Sequence, residues 1–561
     1  MVRSLRVGLV SLLVASAATP ACVSEAPKRG GSRGEGGGRG GTEGGAGPSG
    51  EAGPRRCPPN FAALDECATL RVPLDWDEPG GEAISIFYGK RRAKGEAKAQ
   101  IWLLQGGPGG SAEVFSQTGD IDRLHEALPE VEVYVLEHRG VGESTRLGCD
   151  AQESDRSAAG ADVSDAELGG CIEALEAEWG EGLRHFSSRA AARDLGAATD
   201  ATRAPGQRLF VYGVSYGTYW AIQYLKERPA DADGVILDSV ATPGVQFFTD
   251  FGLQYDPVAE RLAALCAADA TCREKMGDDP YGAARSIMAR LDAGHCFGDD
   301  AAPGALRALL SQVLQIGGAN ALVFPLLYRL DRCDPADRDA LEAFFSLLVE
   351  GPAGSSAGPG PDSFALRMNI GFAEFWSDSP TRAEYDARCA EAAFCTAGDF
   401  DRFEAWPRYA PPADVHALPA TAVPVLALNG DLDPQTPIEK AERVGPMLRG
   451  PAQTFVRVPF ATHFVLGHSP VQTPGAPPCG FQLLTGFVRA PAAPPDLACL
   501  DDLAAPSFDL PPDAAERLFG TSDAWENEPD GFARAPAPRL DLARVPARPR
   551  RDLLSAALRG R

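Results

Sequence analysis

The chain has 561 residues, of which 44% are hydrophobic and 23% charged, a balance that excludes a wholly disordered, collagen-like or polytopic membrane protein. At ~150 residues per domain it has room for more than one unit. Its 53 Lys plus Arg stand against 77 Asp plus Glu, a net charge of -24, which repels phosphate backbones and argues against nucleic acid as a partner.

The N-terminus reads as an export signal at 1–21. Arg3 and Arg6 precede twelve mostly apolar residues from 7 to 18, too few to span a bilayer, and small residues follow up to Cys22. Cys22 stands where a bacterial lipoprotein is acylated, so the chain is expected to be exported from a bacterial cell and either lipid-anchored to the envelope or released. Any membrane contact would run through that anchor alone. Residues 22–56 read as a Gly-rich disordered linker, with thirteen Gly among the 24 residues from 30 to 53.

With Cys22 set aside, twelve of the 13 cysteines remain, all in a compartment that permits disulfides. They fall in short steps, which suggests pairing of sequence neighbours: Cys57 with Cys67, Cys149 with Cys171, Cys266 with Cys272, Cys296 with Cys333, Cys389 with Cys395, and Cys479 with Cys499. No CxxC pair or clustered Cys/His spacing calls for a metal site.

From Cys57 onward, apolar runs of strand length alternate with helical stretches. Ile84, Ile86 and Tyr88 alternate as in a half-buried strand, whereas 101–104, 131–136, 209–214 and 235–237 are nearly continuous, as suits strands buried on both faces. The Ala-rich stretch 188–203 reads as a helix between two of them. This alternation predicts a mostly parallel sheet with helices on both faces. The strand pattern stops near Val240 and resumes near Val423. Between them the Leu/Ala-rich stretches 305–316 and 339–348 read as helices, so the insertion is expected to be a mainly helical cap over the strand ends. The expected organisation is therefore a first core segment at 57–240, the cap at 241–415, a second core segment at 416–500 and a Pro/Arg-rich, peripheral extension at 501–561.

Chemistry concentrates in the resumed and interrupted strands. Gly213-Val-Ser-Tyr-Gly217 places G-x-S-x-G between a buried strand and a helical run, where a sharp turn lifts Ser215 clear of the sheet as a nucleophile. A serine hydroxyl needs a base oriented by a carboxylate, in the chain order Ser, acid, His. Five of the seven histidines, His125, His138, His185, His295 and His416, precede the resumed sheet, leaving His463 and His468. His463 follows a predicted strand at 454–458 by a short loop and is preferred as base. Asp431 and Asp433 both follow the strand ending near Leu428; Asp433 is preferred as acid, because Asp431 sits in the tight turn after Gly430. The oxyanion donors are expected to be the backbone N–H of Tyr216 and one from the loop Gln105-Gly-Gly-Pro-Gly-Gly110, taken as Gly107. That loop lacks both phosphate-binding glycine patterns.

These segments, in this order, resemble the α/β-hydrolase peptidases related to proline iminopeptidase, and within them the secreted tripeptidyl-aminopeptidase-like branch. The resemblance rests on Gln105–Gly110, the turn Glu137-His-Arg-Gly-Val-Gly-Glu-Ser144, the elbow Gly213–Thr218, Asn429-Gly-Asp-Leu-Asp-Pro-Gln-Thr-Pro437, and Ala461-Thr-His463, spanning about Cys57 to Cys499. Gln105, Glu137 and Thr462 replace the commoner His, Asp and Gly. The resemblance implies an α/β-hydrolase fold, a peptide substrate cut near its free N-terminus, and no cofactor or metal. It also implies an acidic cap residue that pairs with the substrate ammonium, for which Glu374 in Asn369-Ile-Gly-Phe-Ala-Glu-Phe-Trp376 is the candidate; otherwise Glu374 lies on a solvated helix face. Cys479 and Cys499 resemble the pair that flanks the terminal helix of this branch. A monomer is expected. Two other functions remain open on the sequence: an esterase or lipase with the same triad, and a non-catalytic surface protein that keeps the fold.

Overall fold

Strand residues alternate faces, so a run that is apolar throughout can be buried only if both faces of its sheet are covered. A computed structural model of the chain describes residues 51–154, 157, 162–298, 304–349 and 360–527. Nine strands form one sheet in the order β1-β2-β3-β5-β4-β6-β7-β8-β9. They are β1 (Glu51–Arg55), β2 (Glu66–Pro73), β3 (Ala83–Arg91), β4 (Ala99–Leu104), β5 (Val131–Leu136), β6 (Arg208–Val214), β7 (Gly234–Asp238), β8 (Val425–Gly430) and β9 (Gln453–Val458). The first three strands pair antiparallel and β3 joins β5 antiparallel, after which every pairing is parallel.

The continuous runs split as their period demands. Ile101, Leu103, Val133, Val135, Phe210 and Tyr212 enter one core, with the helix Cys479–Arg489. Trp102, Leu104, Tyr134, Leu136, Leu209 and Val211 enter the opposite one, with the helices Ser188–Thr202 and Tyr216–Glu227. The strand order reverses at β4, which lies between β5 and β6. In such sheets the crevice at the carboxyl ends beside the reversal is where ligands bind. The Gly-rich loop leaves β4 there, and the Ser215 turn leaves β6 beside it.

The insertion is helical, as expected, but it does not form one body of packing. Helices from Tyr255–Ala268 to Pro335–Val349 share a core of their own. The helix Phe364–Glu374 instead packs Leu366, Met368, Ile370 and Phe372 into the core on the sheet.

Two boundaries differ from the sequence expectation. Residues 51–55, assigned to the linker, pair with β2 as β1; the ladder needs only backbone groups, which a Gly/Pro-rich composition does not advertise. Residues 504–527 are not peripheral. Phe508, Leu518, Phe519 and Trp525 are buried in the cap's core, and the buried guanidinium of Arg329 donates to the carbonyls of Asp523, Ala524 and Glu526. Four large apolar side chains, with these bonds, anchor a segment whose average composition looks polar. The leader, Cys22, most of the linker and the Arg-rich stretch after 527 lie outside the described residues.

Six disulfides join Cys57–Cys67, Cys149–Cys171, Cys266–Cys272, Cys296–Cys333, Cys389–Cys395 and Cys479–Cys499, the neighbour pairing that the spacing suggested. Six bridges belong to an oxidising, extracytoplasmic compartment. Among the described residues no helix is long and apolar enough to cross a membrane.

Candidate active site

Ser215 sits between β6 and the helix Tyr216–Glu227 with φ 58° and ψ -126°. A side chain rarely takes this conformation, and it persists only where the surroundings enforce it. The glycine at 213 permits the turn: a Cβ there would lie 2.2 Å from the carbonyl oxygen of Gly217. Ser215 is partly exposed, while both neighbours are buried.

The Gly-rich loop passes directly over the nucleophile. A Cβ on Gly106 would fall 2.6 Å from the Ser215 Cβ and 3.1 Å from its Oγ, so only glycine allows this approach. Gly107 is exposed at the bend. Among the described residues no protein acceptor takes the N–H of Gly107 or of Tyr216, which leaves both free to serve a ligand oxygen. The hydroxyl of Tyr216 is anchored at its far end, 3.1 Å from His138 Nε2 and 2.8 Å from Ser188 Oγ. Burial pushes the His138 ring down to about 3, so it is neutral. With Nδ1 facing the Arg139 carbonyl, Nε2 accepts from Tyr216.

Asp433 and His463 meet. His463 Nδ1 lies 3.0 Å from Asp433 Oδ1 and 2.9 Å from Oδ2. The carboxylate is fully buried and the imidazole side chain is 12% exposed, so one end of the ring is held and the rest can reach solvent. Asp433 also accepts from the backbone N–H of Gln435 (2.8 Å) and Thr436 (3.0 Å) and from the Thr436 hydroxyl (2.6 Å). Burial raises its pKa, but the imidazole and the Thr436 donors outweigh this and hold the carboxyl below its ordinary range. Asp431 points elsewhere, into an ion pair with Arg457. His468 turns inward as a support, with Nδ1 2.6 Å from the carbonyl oxygen of His463.

Glu374 is not on a solvated helix face. It is 1% exposed, and its Oε1 accepts from the Ser188 N–H (3.0 Å) and the Tyr409 hydroxyl (2.6 Å). Its Oε2 is buried with no hydrogen-bond partner among the described residues. The helix that carries it begins against the Gly-rich loop, where Ser363 N–H donates to the Gly109 carbonyl at 2.8 Å.

Two residues between these parts escaped the sequence reading. Asp238 ends β7, and its carbonyl accepts the Ser215 N–H at 2.9 Å. Its carboxylate accepts the N–H groups of Val465 and Leu466, each at 2.8 Å, and Ser239 Oγ accepts that of Phe464 at 2.8 Å. A carboxylate closing a strand that is otherwise apolar was the available signal.

This strand order, with a serine elbow after the strand beside the reversal and an acid and histidine after the last two strands, defines an α/β-hydrolase. No family model matches the chain. It is distantly related to the tripeptidyl aminopeptidase of Streptomyces coelicolor, 30% identical over 202 residues that cover 32% of this chain and 35% of that protein. It is related likewise to the serine protease Hip1 of Mycobacterium tuberculosis, 25% identical over 247 residues covering 40% and 46%. The chain thus matches less than half the length of these relatives. A proline iminopeptidase-related protein from Thermus thermophilus is 17% identical over 71% of this chain and 90% of its own, with a TM-score of 0.28; an overlap that weak adds nothing to the strand order.

Proposed function

We propose that the chain is a serine exopeptidase that cleaves peptide bonds near a free N-terminus. Ser215 is the nucleophile, His463 the base and Asp433 its orienting acid. The observation that carries this reading is the way two distant loops converge on Asp238 and Ser239. One side of that dipeptide takes the Ser215 N–H and the other takes the three amides that follow His463.

In this reading the ionised Asp433 keeps the Nδ1 proton of His463 on its own side. Nε2 is then the basic nitrogen and removes the Ser215 proton as Oγ attacks the scissile carbonyl. The negative charge that builds on the carbonyl oxygen is met by the N–H groups of Gly107 and Tyr216, already fixed by the loop over Ser215 and by the anchored Tyr216 ring. The imidazolium returns its proton to the leaving amine. Water, deprotonated by the same nitrogen, then releases the acyl group from Ser215. None of these steps calls for a metal or cofactor.

The preference for peptides is supported by the two kinds of relative the sequence resembles, both named as peptidases. Glu374 supports it on chemical grounds: a buried carboxylate with one oxygen lacking a donor is complementary to a substrate ammonium. Glu374 Oε2 is buried, so an ammonium reaches it only when the side chains around it move. The test is a panel of aminoacyl and tripeptidyl chromogenic amides set against short acyl esters, together with an organophosphonate probe. We expect amide cleavage and covalent labelling, with labelling abolished in Ser215→Ala. Activity on esters alone would overturn the peptidase assignment, and labelling that survives Ser215→Ala would overturn the serine mechanism.

A further inference from the structure

We infer that Asp238, with Ser239, is a positioning residue that sets the reach between Ser215 and His463. The inference rests on the serine-hydrolase reading above and adds a part to it. Asp433 fixes which way the imidazole faces; Asp238 fixes where the loop that carries it stands.

The geometry divides these tasks. On the acid side the base loop is held by the Asp433–His463 contact and by the Leu432 N–H on the Ala461 carbonyl at 3.0 Å. Neither bond refers to Ser215. On the other side Asp238 has 0% exposure, and every donor to it comes from a part of the site. Oδ1 takes Val465 N–H (2.8 Å) and the Ser239 hydroxyl (3.1 Å), while Oδ2 takes Leu466 N–H (2.8 Å) and the Tyr212 hydroxyl (2.9 Å). Tyr212 lies on β6, three residues before the nucleophile. The Asp238 carbonyl meanwhile extends the β6–β7 ladder by one bond, to Ser215 N–H.

Ser239 reinforces this. Its N–H donates to the Leu428 carbonyl of β8 at 2.9 Å, while its hydroxyl donates a hydrogen bond to Asp238 and accepts one from Phe464 N–H. Both Ser239 (φ 60°) and Phe464 (φ 69°) hold left-handed conformations that favour glycine. The two residues pinned against each other are thus both strained, as expected where position matters more than local comfort. Burial raises the Asp238 pKa and the bonds from Leu466, Tyr212, Val465 and Ser239 oppose this; as a carboxylate the group suits this post because it only accepts. An amide in its place would turn an NH2 group toward an N–H or toward the Tyr212 hydroxyl and push part of the loop away.

The test uses the full chain with its disulfides formed and compares wild type, Asp238→Asn and Ser239→Ala. The measurements are kcat and KM on a tripeptidyl chromogenic amide, the rate of phosphonate labelling, near-UV circular dichroism, and the downfield NMR signal of the proton between His463 and Asp433. For folded Asp238→Asn we expect kcat and labelling rate to fall at least about tenfold, as a displacement of under an ångström can do. KM should stay within about twofold of wild type, and the downfield proton should be retained. A folded Asp238→Asn with wild-type kcat would overturn the inference, as would loss of the downfield proton, which would mean general disruption of the base–acid pair. If Asp238→Asn does not fold, Ser239→Ala decides, since it removes the acceptor of Phe464 N–H and one donor to Asp238 while leaving the Tyr212, Val465 and Leu466 bonds in place: a fall in kcat at constant KM supports the inference and an unchanged kcat overturns it. A wild-type chain that the phosphonate does not label would refute the hydrolase reading itself, a result distinct from equal labelling of wild type and variant.

Discussion

Replacing Glu137 by Gln should make the protein more stable at neutral pH. Glu137 directly follows β5 and is 1% exposed. Its Oε1 accepts from the Ser111 hydroxyl at 2.6 Å, and Oε2 has no hydrogen-bond partner among the described residues. Burial pushes its pKa from the ordinary 4.5 up to about 8; the Ser111 hydrogen bond opposes this, and the nearby carboxylates of Asp362 and Glu113 add to it. The native chain therefore keeps a proton that the unfolded chain loses, so stability is fully present below pH 4.5 and declines as pH rises towards about 8. At about 1.4 kcal/mol per pH unit, the loss across this window has a ceiling of about 5 kcal/mol. Gln keeps an acceptor for Ser111 and carries no charge, so it removes the decline. Guanidinium denaturation of both proteins at a series of pH values from 4 to 9 provides the assay. The advantage of Glu137→Gln should grow by at least about 1 kcal/mol between pH 5 and 8 and then level off. Parallel stability curves across that window would refute the reasoning, because they would mean that the wild-type carboxyl ionises at the same pH folded and unfolded.

Asp433→Asn should lower kcat by roughly 10⁴ with little change in KM, since the ring loses its orienting charge and takes the wrong tautomer; steady-state kinetics on the chromogenic amide would read this, and a KM effect alone would contradict it. Glu374→Gln should raise KM at least about tenfold for peptides with a free N-terminus while leaving N-acetylated substrates unchanged. Equal losses on both would make Glu374 a tie between Ser188 and Tyr409 with no part in substrate recognition. Removing the Cys479–Cys499 bridge by paired Ala substitution should cost about 3 kcal/mol in guanidinium denaturation, given its sequence separation of 20. Phosphonate labelling of Ser215 under native conditions should remain.

The parts of this protein that are written in local sequence are those that need only nearby residues. The period of the apolar runs fixed which strands are buried on both faces, because side-chain direction alternates within the strand itself. Gly213-Val-Ser-Tyr-Gly217 announced a strained turn since the backbone crowding is local to it. The short cysteine spacings announced their partners because a close neighbour in sequence is seldom far away in space. Asp433 could be preferred to Asp431 from a turn preference alone, and the fold sets the two apart by giving one to His463 and the other to Arg457.

Burial decided the rest, and burial depends on the whole chain. Nothing near residue 374 reveals that Ser188 and Tyr409 will close over its carboxylate. Nothing near 508–525 reveals that four apolar side chains will find a groove in the cap. The same holds for Asp238, whose donors come from residues 212, 239, 465 and 466: a carboxylate that would be costly alone in the core is stable there because its neighbour Ser239 and two distant segments together deliver four donors to it. Sequence determines which residues have chemistry to offer, while only the folded chain determines which of them are removed from water together, and that removal gives a charge or a hydrogen bond its strength.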